Sequence, residues 1–301
     1  MKHFSFTSHD GHSIELYVAD EVAKPKAVVK IAHGMAEHSL RYEDFARYLN
    51  SLGYIVVLND HRGHGLTAQQ DSLGYESGDM WTNNVQDQIT LINYCREKYN
   101  LPVIMMGHSY GSFITQAVME EAPDATGYIL CGSNLMKGAQ YSVCKKVANT
   151  MCRHQGGRYP AQLIVNLSFK SYEKKFPGEN AWLNRDQAEV KKYNDDPLCG
   201  FVCSANFYRT FMDGIFKLYK KEFFGRIDTT KPLLIISGSD DPVGGYSKGV
   251  DKLEKFYDRN VGVTNITKHL YDGARHEILN ETCKDEVYKD VVDWLEDILQ
   301  Q

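Results

Sequence analysis

Apolar positions along the chain follow two alternating patterns. Short continuous apolar runs, of which Ala27–Ala32 is typical, predict buried strands, because a strand covered on both faces carries apolar side chains at successive positions. Longer segments with apolar residues three and four positions apart, such as Thr82–Tyr99, predict amphipathic helices. We expect this helix to have its N-cap at Thr82 or Asn83. Strands alternating with helices indicate an α/β fold with a mostly parallel central sheet and helices on both faces.

The same two patterns predict the individual strands and helices. Phe4–Thr7 and Ser13–Ala19 are predicted to form an N-terminal hairpin, because the turn-forming residues 9–11 lie between them. The other predicted strands are Ala27–Ala32, Tyr54–Leu58, Val103–Met106, Tyr128–Cys131, Leu233–Ser237 and Ile266–Tyr271. The predicted helices are Ser39–Leu52, Thr82–Tyr99, Ser112–Met119, Lys248–Tyr257 and Asp285–Leu299. Parallel sheets of this kind bind ligands at the carboxyl ends of their strands, so we expect the functional side chains to lie there.

One stretch of 93 residues, from about residue 136 to residue 228, breaks the alternation. Structureless connections longer than about 15 residues are uncommon in compact domains, so the stretch predicts an inserted helical subdomain. Its expected helices are Leu163–Phe176 and Asn206–Phe224. The predicted domain organisation is a core of residues 1–135 and 229–301 with a helical cap of residues 136–228.

Charge and aromatic content set the predicted cap apart from the core. Residues 136–228 carry 16 Lys and Arg against 9 Asp and Glu, a net charge of +7, whereas the rest of the chain carries 18 against 30, a net charge of −12. Fifteen of the 35 aromatic residues also lie in the cap. A small helical lobe with solvated lysines would have this composition. It equally suits a basic, aromatic-lined cap over an active site, which predicts transient contact with a lipid surface.

Overall composition excludes several classes of protein. The net charge of −5 gives no reason to expect a nucleic-acid partner. No apolar run approaches the roughly 20 residues that span a bilayer, and the N-terminal residues lack an apolar signal segment, so we expect a cytoplasmic protein. The seven cysteines are an odd number without a C-x-x-C pair, which favours reduced structural thiols.

The strongest chemical signal is Gly107-His108-Ser109-Tyr110-Gly111, which fits the G-x-S-x-G nucleophile elbow. A serine on a sharp strand-to-helix turn projects its hydroxyl from the sheet, and the flanking glycines allow the backbone to approach closely. The helix N-terminus also stabilises an oxyanion formed beside it. The pattern therefore predicts Ser109 as a nucleophile and the Tyr110 amide as one oxyanion donor.

A serine nucleophile needs a base and an acid, which follow it in the order acid, base in this type of fold. Of the histidines after Ser109, His154 lies in the cap and His269 within a strand, which leaves His276 in the loop after the last strand. The acid should follow the preceding strand, where both Asp240 and Asp241 lie. Spacing alone does not choose between these two aspartates.

Two histidine-rich loops, at residues 33–38 and 60–65, invite comparison with metal sites. The spacing H-x-x-x-E-H is one residue longer than the inverted zincin motif, and the two glycines at residues 63 and 65 suit a tight turn. We therefore predict no metal site here. The loop at residues 33–38 should supply the second oxyanion amide, and the loop at 60–65 should support it.

Five motifs in order resemble the monoacylglycerol lipase and lysophospholipase branch of the α/β hydrolases, over essentially the whole chain outside the cap. They are HGMAEHSLRY at residues 33–42, DHRGHG at 60–65, GHSYG at 107–111, GSDDP at 238–242 and GARHE at 273–277. The resemblance implies an α/β-hydrolase fold, with Ser109, Asp241 and His276 as the triad. It implies the Met35 and Tyr110 amides as oxyanion donors.

The same resemblance implies a small-molecule acyl ester as the substrate, a mobile cap that forms an acyl-chain tunnel, and no cofactor or metal. Other activities of the same fold, namely carboxylesterase, thioesterase and serine aminopeptidase, would keep every motif. An epoxide hydrolase or dehalogenase is disfavoured because it would be expected to carry Asp at position 109. A catalytically inactive binding protein would usually lack a triad member.

Overall fold

The computed structural model describes residues 1–68, 71–121 and 123–300. The described residues form one eight-stranded sheet. Its strands are β1 Lys2–Thr7, β2 Ser13–Ala19, β3 Ala27–Ala32, β4 Tyr54–Asn59, β5 Val103–His108, β6 Gly127–Cys131, β7 Leu233–Gly238 and β8 Ile266–Tyr271. They lie in the order β1-β2-β4-β3-β5-β6-β7-β8. β1 pairs antiparallel with β2, and β2 with β4, whereas all other neighbours are parallel.

Helices cover both faces of this sheet, as predicted. Outside the segment between β6 and β7 they are α1 Glu43–Ser51, α2 Met80–Tyr99, α3 Tyr110–Glu120, α10 Lys248–Phe256 and α11 Lys284–Leu299. α1 and α11 bury apolar side chains against one face, beside Val29 and Ile31 of β3. α2, α3 and α10 share the opposite core with Val28 and Ala32 of the same strand. Successive residues of a central strand therefore contribute to two different cores, which is why these strands are apolar at consecutive positions.

Several predicted elements have different ends in the structure, and three helices show this most clearly. The helix predicted from Thr82 begins two residues earlier, because the Asp79 carboxylate is the N-cap and accepts the Thr82 amide at 3.1 Å. The helix predicted from Ser39 starts with a 3₁₀ turn, Ser39–Tyr42, before α1. After α10 the chain continues in a π-helical turn, Tyr257–Val261.

Between β6 and β7 the described residues form six helices. They are α4 Ala139–Gln155, α5 Gln162–Ser168, α6 Lys170–Lys175, α7 Gln187–Asp195, α8 Ala205–Leu218 and α9 Lys221–Phe224. The two predicted helices of this segment are each split in two, and α4 and α7 were not predicted. α4 buries only Ala148 and Met151 among its residues, so its apolar periodicity is weak. The division of the chain into core and cap at these residues stays a prediction.

α8 joins this segment to the core. It packs against α2, α3 and α4, and Phe207, Phe211 and Ile215 are buried along it. Gly214 packs directly on the Trp81 indole. A β-carbon at this position would lie 2.1 Å from the ring, so no larger residue fits here. Among the described helices, none combines the length and apolar character that a bilayer span requires.

A lysine is completely buried in the middle of β3. The Lys30 ammonium donates hydrogen bonds to Asn59 Oδ1 and Gln88 Oε1, both at 2.7 Å, and to the Ile31 carbonyl at 2.9 Å. Burial nevertheless lowers the pKa of Lys30 from 10.5 to about 7, because the charged form loses its hydration.

This buried lysine predicts a pH-dependent stability. Between pH 7 and 10.5 the unfolded chain binds one proton more at Lys30 than the folded chain, so the free energy of unfolding rises with pH. The contribution is about 1.4 kcal/mol per pH unit. In denaturant unfolding between about pH 7 and 9, the wild type should show this extra slope, and Lys30→Met should lack it. Equal slopes for the two proteins would contradict the account.

Candidate active site

Ser109 occupies the sharp turn between β5 and α3. Its backbone has φ 51° and ψ −119°, a conformation that is strained for a residue with a side chain. A β-carbon on Gly107 would lie 2.1 Å from the Gly111 carbonyl oxygen, and one on Gly111 would lie 2.2 Å from that of Ala32. The glycines of the G-x-S-x-G motif are therefore required by backbone contact. The serine itself stays partly exposed.

Asp241 and His276 are brought together at the carboxyl ends of β7 and β8. His276 Nδ1 donates a hydrogen bond to Asp241 Oδ2 at 3.0 Å, and both side chains are buried. Burial alone would raise the pKa of Asp241, but His276 and the backbone amides of Val243 and Gly244 more than offset it, so the pKa lies below its usual value. This arrangement keeps the carboxylate charged and leaves the His276 Nε2 lone pair free to accept a proton.

The structure separates the two aspartates that spacing left open. Asp240 does not face His276: its side chain is 44% exposed and lies 3.4 Å from the Lys175 ammonium. Asp241, in contrast, also accepts the Val243 amide at 2.8 Å. Only Asp241 is therefore placed to orient the histidine.

The predicted oxyanion donors, Met35 and Tyr110, both lie beside Ser109 on one cavity wall. Tyr110 is the first residue of α3, and Met35 lies in the loop after β3. That loop is held by an internal hydrogen bond, which the Gly34 amide donates to Glu37 Oε1 at 2.5 Å. It is also held from the side of α7, because the Ala36 carbonyl accepts the Tyr193 hydroxyl at 3.0 Å. Such contacts fix the direction of the neighbouring amides.

Glu37 also belongs to a buried network of charged groups. Arg41 contacts Glu37 at 3.2 Å and Glu277 at 2.6 Å, which joins the loop after β3 to the loop that carries His276. Burial would raise the pKa of Glu37, but His108 and Arg41 more than offset it and keep the carboxylate charged. For Glu277 the burial effect prevails and its pKa is raised.

His108, inside the nucleophile motif, completes this network. Its Nδ1 lies 2.8 Å from the Tyr42 hydroxyl, which donates to Glu37 Oε1, and its Nε2 faces the His276 carbonyl at 3.2 Å. Burial opposes a charge on His108, but the interaction with Glu37 raises its pKa. Both ring nitrogens face acceptors, which is the pattern of an imidazolium.

The histidine-rich loops contact each other and the backbone. The His61 amide donates to His33 Nε2 at 2.9 Å, and His61 Nε2 donates to the His33 carbonyl at 3.0 Å. Burial lowers the pKa of both rings, and that of His64 to about 3, so they are neutral. Asp60 accepts the Ser39 amide at 2.9 Å. These contacts give the loop after β4 the supporting role predicted for it.

Two cavities meet at Ser109. The smaller has a volume of about 140 Å³ and is lined on its polar side by Glu37, Tyr193, His276 and Glu277. The larger has a volume of about 560 Å³ and runs between the core and the helices after β6. Apolar side chains on its wall are Phe113, Met136, Val147, Ile164, Phe211 and Met212. A substrate with one polar and one long apolar part would fit both spaces at once.

Several residues of the site were not predicted from the sequence. Glu37, Arg41, Tyr193 and Glu277 approach each other only in the folded chain. One signal was available: Glu37 and Arg41 are four residues apart, the spacing of an ion pair on a helical turn.

The chain matches a known protein family and several named relatives. Residues 23–283 match the family described as "Serine aminopeptidase, S33". A monoglyceride lipase homolog of Monkeypox virus is 27% identical over 278 residues, covering 91% of each chain. The monoglyceride lipase of Homo sapiens is 28% identical over 262 residues, covering 85% of this chain and 77% of that one. A carboxyl esterase structure from Bacillus coagulans superimposes with a TM-score of 0.89 at 25% identity, covering 99% of this chain and 98% of that one.

The match to the esterase structure covers 99% of this chain, and with it the β1–β8 sheet and its helices, so the α/β-hydrolase fold predicted from the sequence is confirmed. The relatives named monoglyceride lipase confirm the resemblance to that branch. The chain belongs to the serine aminopeptidase, S33 family of α/β hydrolases.

Proposed function

We propose that the protein hydrolyses the ester bond of a monoacyl lipid, with a monoacylglycerol as the preferred substrate. The observation that carries this proposal is the cavity of about 560 Å³ that begins at Ser109. Its volume lies within the range of about 300 to 1,000 Å³ that is typical of ligand sites, and its wall is largely apolar. An acyl chain in this cavity would bring its ester carbonyl to the serine. The names of the human and viral relatives agree with this substrate class.

The proposed reaction is a two-step acyl transfer. The lone pair of His276 Nε2 takes the proton of the Ser109 hydroxyl as its oxygen attacks the ester carbonyl, while Asp241 holds the imidazole and stabilises its positive charge. The Met35 and Tyr110 amides donate to the oxyanion. The alcohol leaves with the proton from His276. A water molecule then attacks the acyl-enzyme carbonyl while His276 takes its proton, and the fatty acid is released as His276 returns that proton to the Ser109 oxygen.

The smaller cavity supports a small neutral alcohol as the leaving group. Glu37 and Glu277 contribute carboxyl groups to its wall, and the described residues that line it include no lysine or arginine. A glycerol hydroxyl could donate to these carboxyl oxygens. A phosphate group would instead meet three carboxyl groups, those of Glu37, Glu173 and Glu277, with the His108 imidazolium as the one cation among the described lining residues. The cavity therefore favours monoacylglycerol over lysophospholipid.

A panel of substrates with matched acyl chains tests this proposal. We expect kcat/KM to be highest for the monoacylglycerol and at least about tenfold lower for the lysophospholipid, because the unpaired phosphate costs on the order of a few kcal/mol. Ser109→Ala should lower kcat by at least about 10⁴-fold. If an aminoacyl anilide is the best substrate, the serine aminopeptidase alternative is correct. Retained activity in Ser109→Ala would end the hydrolase proposal.

Two neighbouring substitutions test the proposed acid. Asp241→Asn should lower kcat on the order of 10⁴-fold, since an amide cannot hold His276 in the required tautomer. Asp240→Asn is the matched control, and its kcat should stay near that of the wild type. The Asp240 carboxylate is half exposed, and its ion pair is with Lys175 and not with His276. The reverse order of the two effects would show that Asp240 is the acid.

We also propose that the cap touches the lipid surface that holds the substrate. Val143, Leu163 and Leu167 are exposed apolar side chains of α4 and α5, and Val143 and Leu167 lie on the wall of the larger cavity. Lys146 is exposed on the same helix as Val143. Exposed apolar side chains beside a basic residue suit the interface of an anionic membrane.

Leu163→Gln should raise KM about fivefold for monoacylglycerol in anionic vesicles, because it removes an apolar contact with the lipid. KM for a soluble short-chain ester should not change. Leu66→Gln is the matched control, because Leu66 is exposed to the same degree, 53% against 51% for Leu163, and lies outside the cap. Equal effects of the two substitutions on vesicle kinetics would contradict the proposed surface.

A further inference from the structure

A second group of chemically active side chains lies behind the loop that carries Met35. His38 is the last residue of this loop, Asp196 caps the end of α7, and Cys199 lies in the turn after α7. Their ligand atoms, one per residue, all lie within 4.8 Å of one another. His38 and Cys199 are buried, while the Asp196 side chain is 31% exposed and opens the group to water.

We propose that His38, Asp196 and Cys199 form a binding site for Zn²⁺. An imidazole nitrogen, a carboxylate oxygen and a sulfur are the three donor types that zinc takes in proteins, and a water molecule on the exposed side of Asp196 supplies the fourth ligand. Of these three residues, only His38 also belongs to the H-x-x-x-E-H stretch at residues 33–38, whose spacing did not fit the inverted zincin motif.

The required movements are small. Zinc bonds of about 2.0 to 2.3 Å in a tetrahedron place neighbouring ligand atoms about 3.3 to 3.8 Å apart. His38 Nε2 and Asp196 Oδ2 are now hydrogen bonded at 2.8 Å and must separate slightly, and the sulfur, which lies within 4.8 Å of both, must come to rest within about 3.8 Å of them. On binding, the Cys199 thiol proton goes to solvent and the imidazole proton moves from Nε2 to Nδ1. The backbone supports this arrangement, because the Cys199 amide donates to the Asp196 carbonyl at 3.0 Å.

The charge around the group permits a divalent cation. Arg41 lies near Cys199 and would repel the metal if it were unpaired. Its guanidinium is held between the carboxylates of Glu37 and Glu277, at 3.2 and 2.6 Å. With Asp196 as a third carboxyl group nearby, the carboxyl groups outnumber the two cationic side chains of this network, Arg41 and His108.

The site is mechanically connected to the proposed oxyanion loop. The Gly200 amide, next to Cys199, donates to the Ala36 carbonyl at 2.9 Å, and His38 lies three residues after Met35. Ala36 has a φ of 56°, so the loop is already strained. Zinc that draws His38 and Cys199 together therefore displaces the Met35 amide and lowers kcat. This second consequence rests on the proposed hydrolase function, whereas zinc binding does not.

Zinc titration of the metal-free full-length protein, followed by calorimetry, tests the site. We expect one ion per chain, and at least about tenfold weaker binding in Cys199→Ser and in His38→Gln. Cys283→Ser is the control and should bind like the wild type, because this thiol lies 3.6 Å from the Arg185 guanidinium and is not a member of the group. With Co²⁺ as a probe, a thiolate charge-transfer band should appear in the wild type and in Cys283→Ser but not in Cys199→Ser.

Absence of zinc binding, or binding that both Cys199→Ser and His38→Gln leave unchanged, would overturn the site. Hydrolysis of a short-chain ester should fall on zinc addition, recover with a chelator, and be insensitive to zinc in Cys199→Ser. Zinc bound at the site without any change in kcat would overturn the connection to the oxyanion loop. A protein that binds zinc in the expected pattern but hydrolyses no ester would refute only the proposed function.

Discussion

The close packing of backbone on backbone where β5 turns into α3 is the constraint on which the active site depends. At Gly107 and Gly111 the backbones approach so closely that neither position has room for a β-carbon. This contact holds Ser109 at a positive φ, a strain that costs on the order of 1 to 3 kcal/mol. Only a rigid surrounding can maintain it. The buried strands on both sides of β5 and the helices on both faces provide that rigidity.

A second requirement is that three loops from distant parts of the chain keep one geometry. The buried pairs of Arg41 with Glu37 and Glu277 join the loop after β3 to the loop that carries His276. His108 adds the nucleophile turn to the same network through Tyr42. Removing one member would leave its partner charged and buried. The free energy of unfolding would then fall far more than it does when an exposed ion pair is lost. The network therefore acts as a positioning device behind the reacting groups.

Local sequence patterns predicted the sheet, the elbow and His276, because buried strands and a strand-to-helix turn leave strong signals in the chain. They did not predict α4 and α7, whose exposed polar surfaces weaken the helical periodicity. Nor could they choose between Asp240 and Asp241, since the choice depends on which carboxylate faces a ring 35 residues away. The Arg41 network was missed for the same reason: Arg41 and Glu277 are separated by 236 residues.

Covalent labelling with a long-chain alkyl fluorophosphonate, followed by tandem mass spectrometry of the digested protein, tests the central claim most directly. The reagent resembles the acyl group and reacts only with an activated nucleophile. We predict a single adduct on Ser109, and protection of this residue by excess monoacylglycerol. An adduct on another residue, or no adduct in a preparation that hydrolyses monoacylglycerol, would contradict the account.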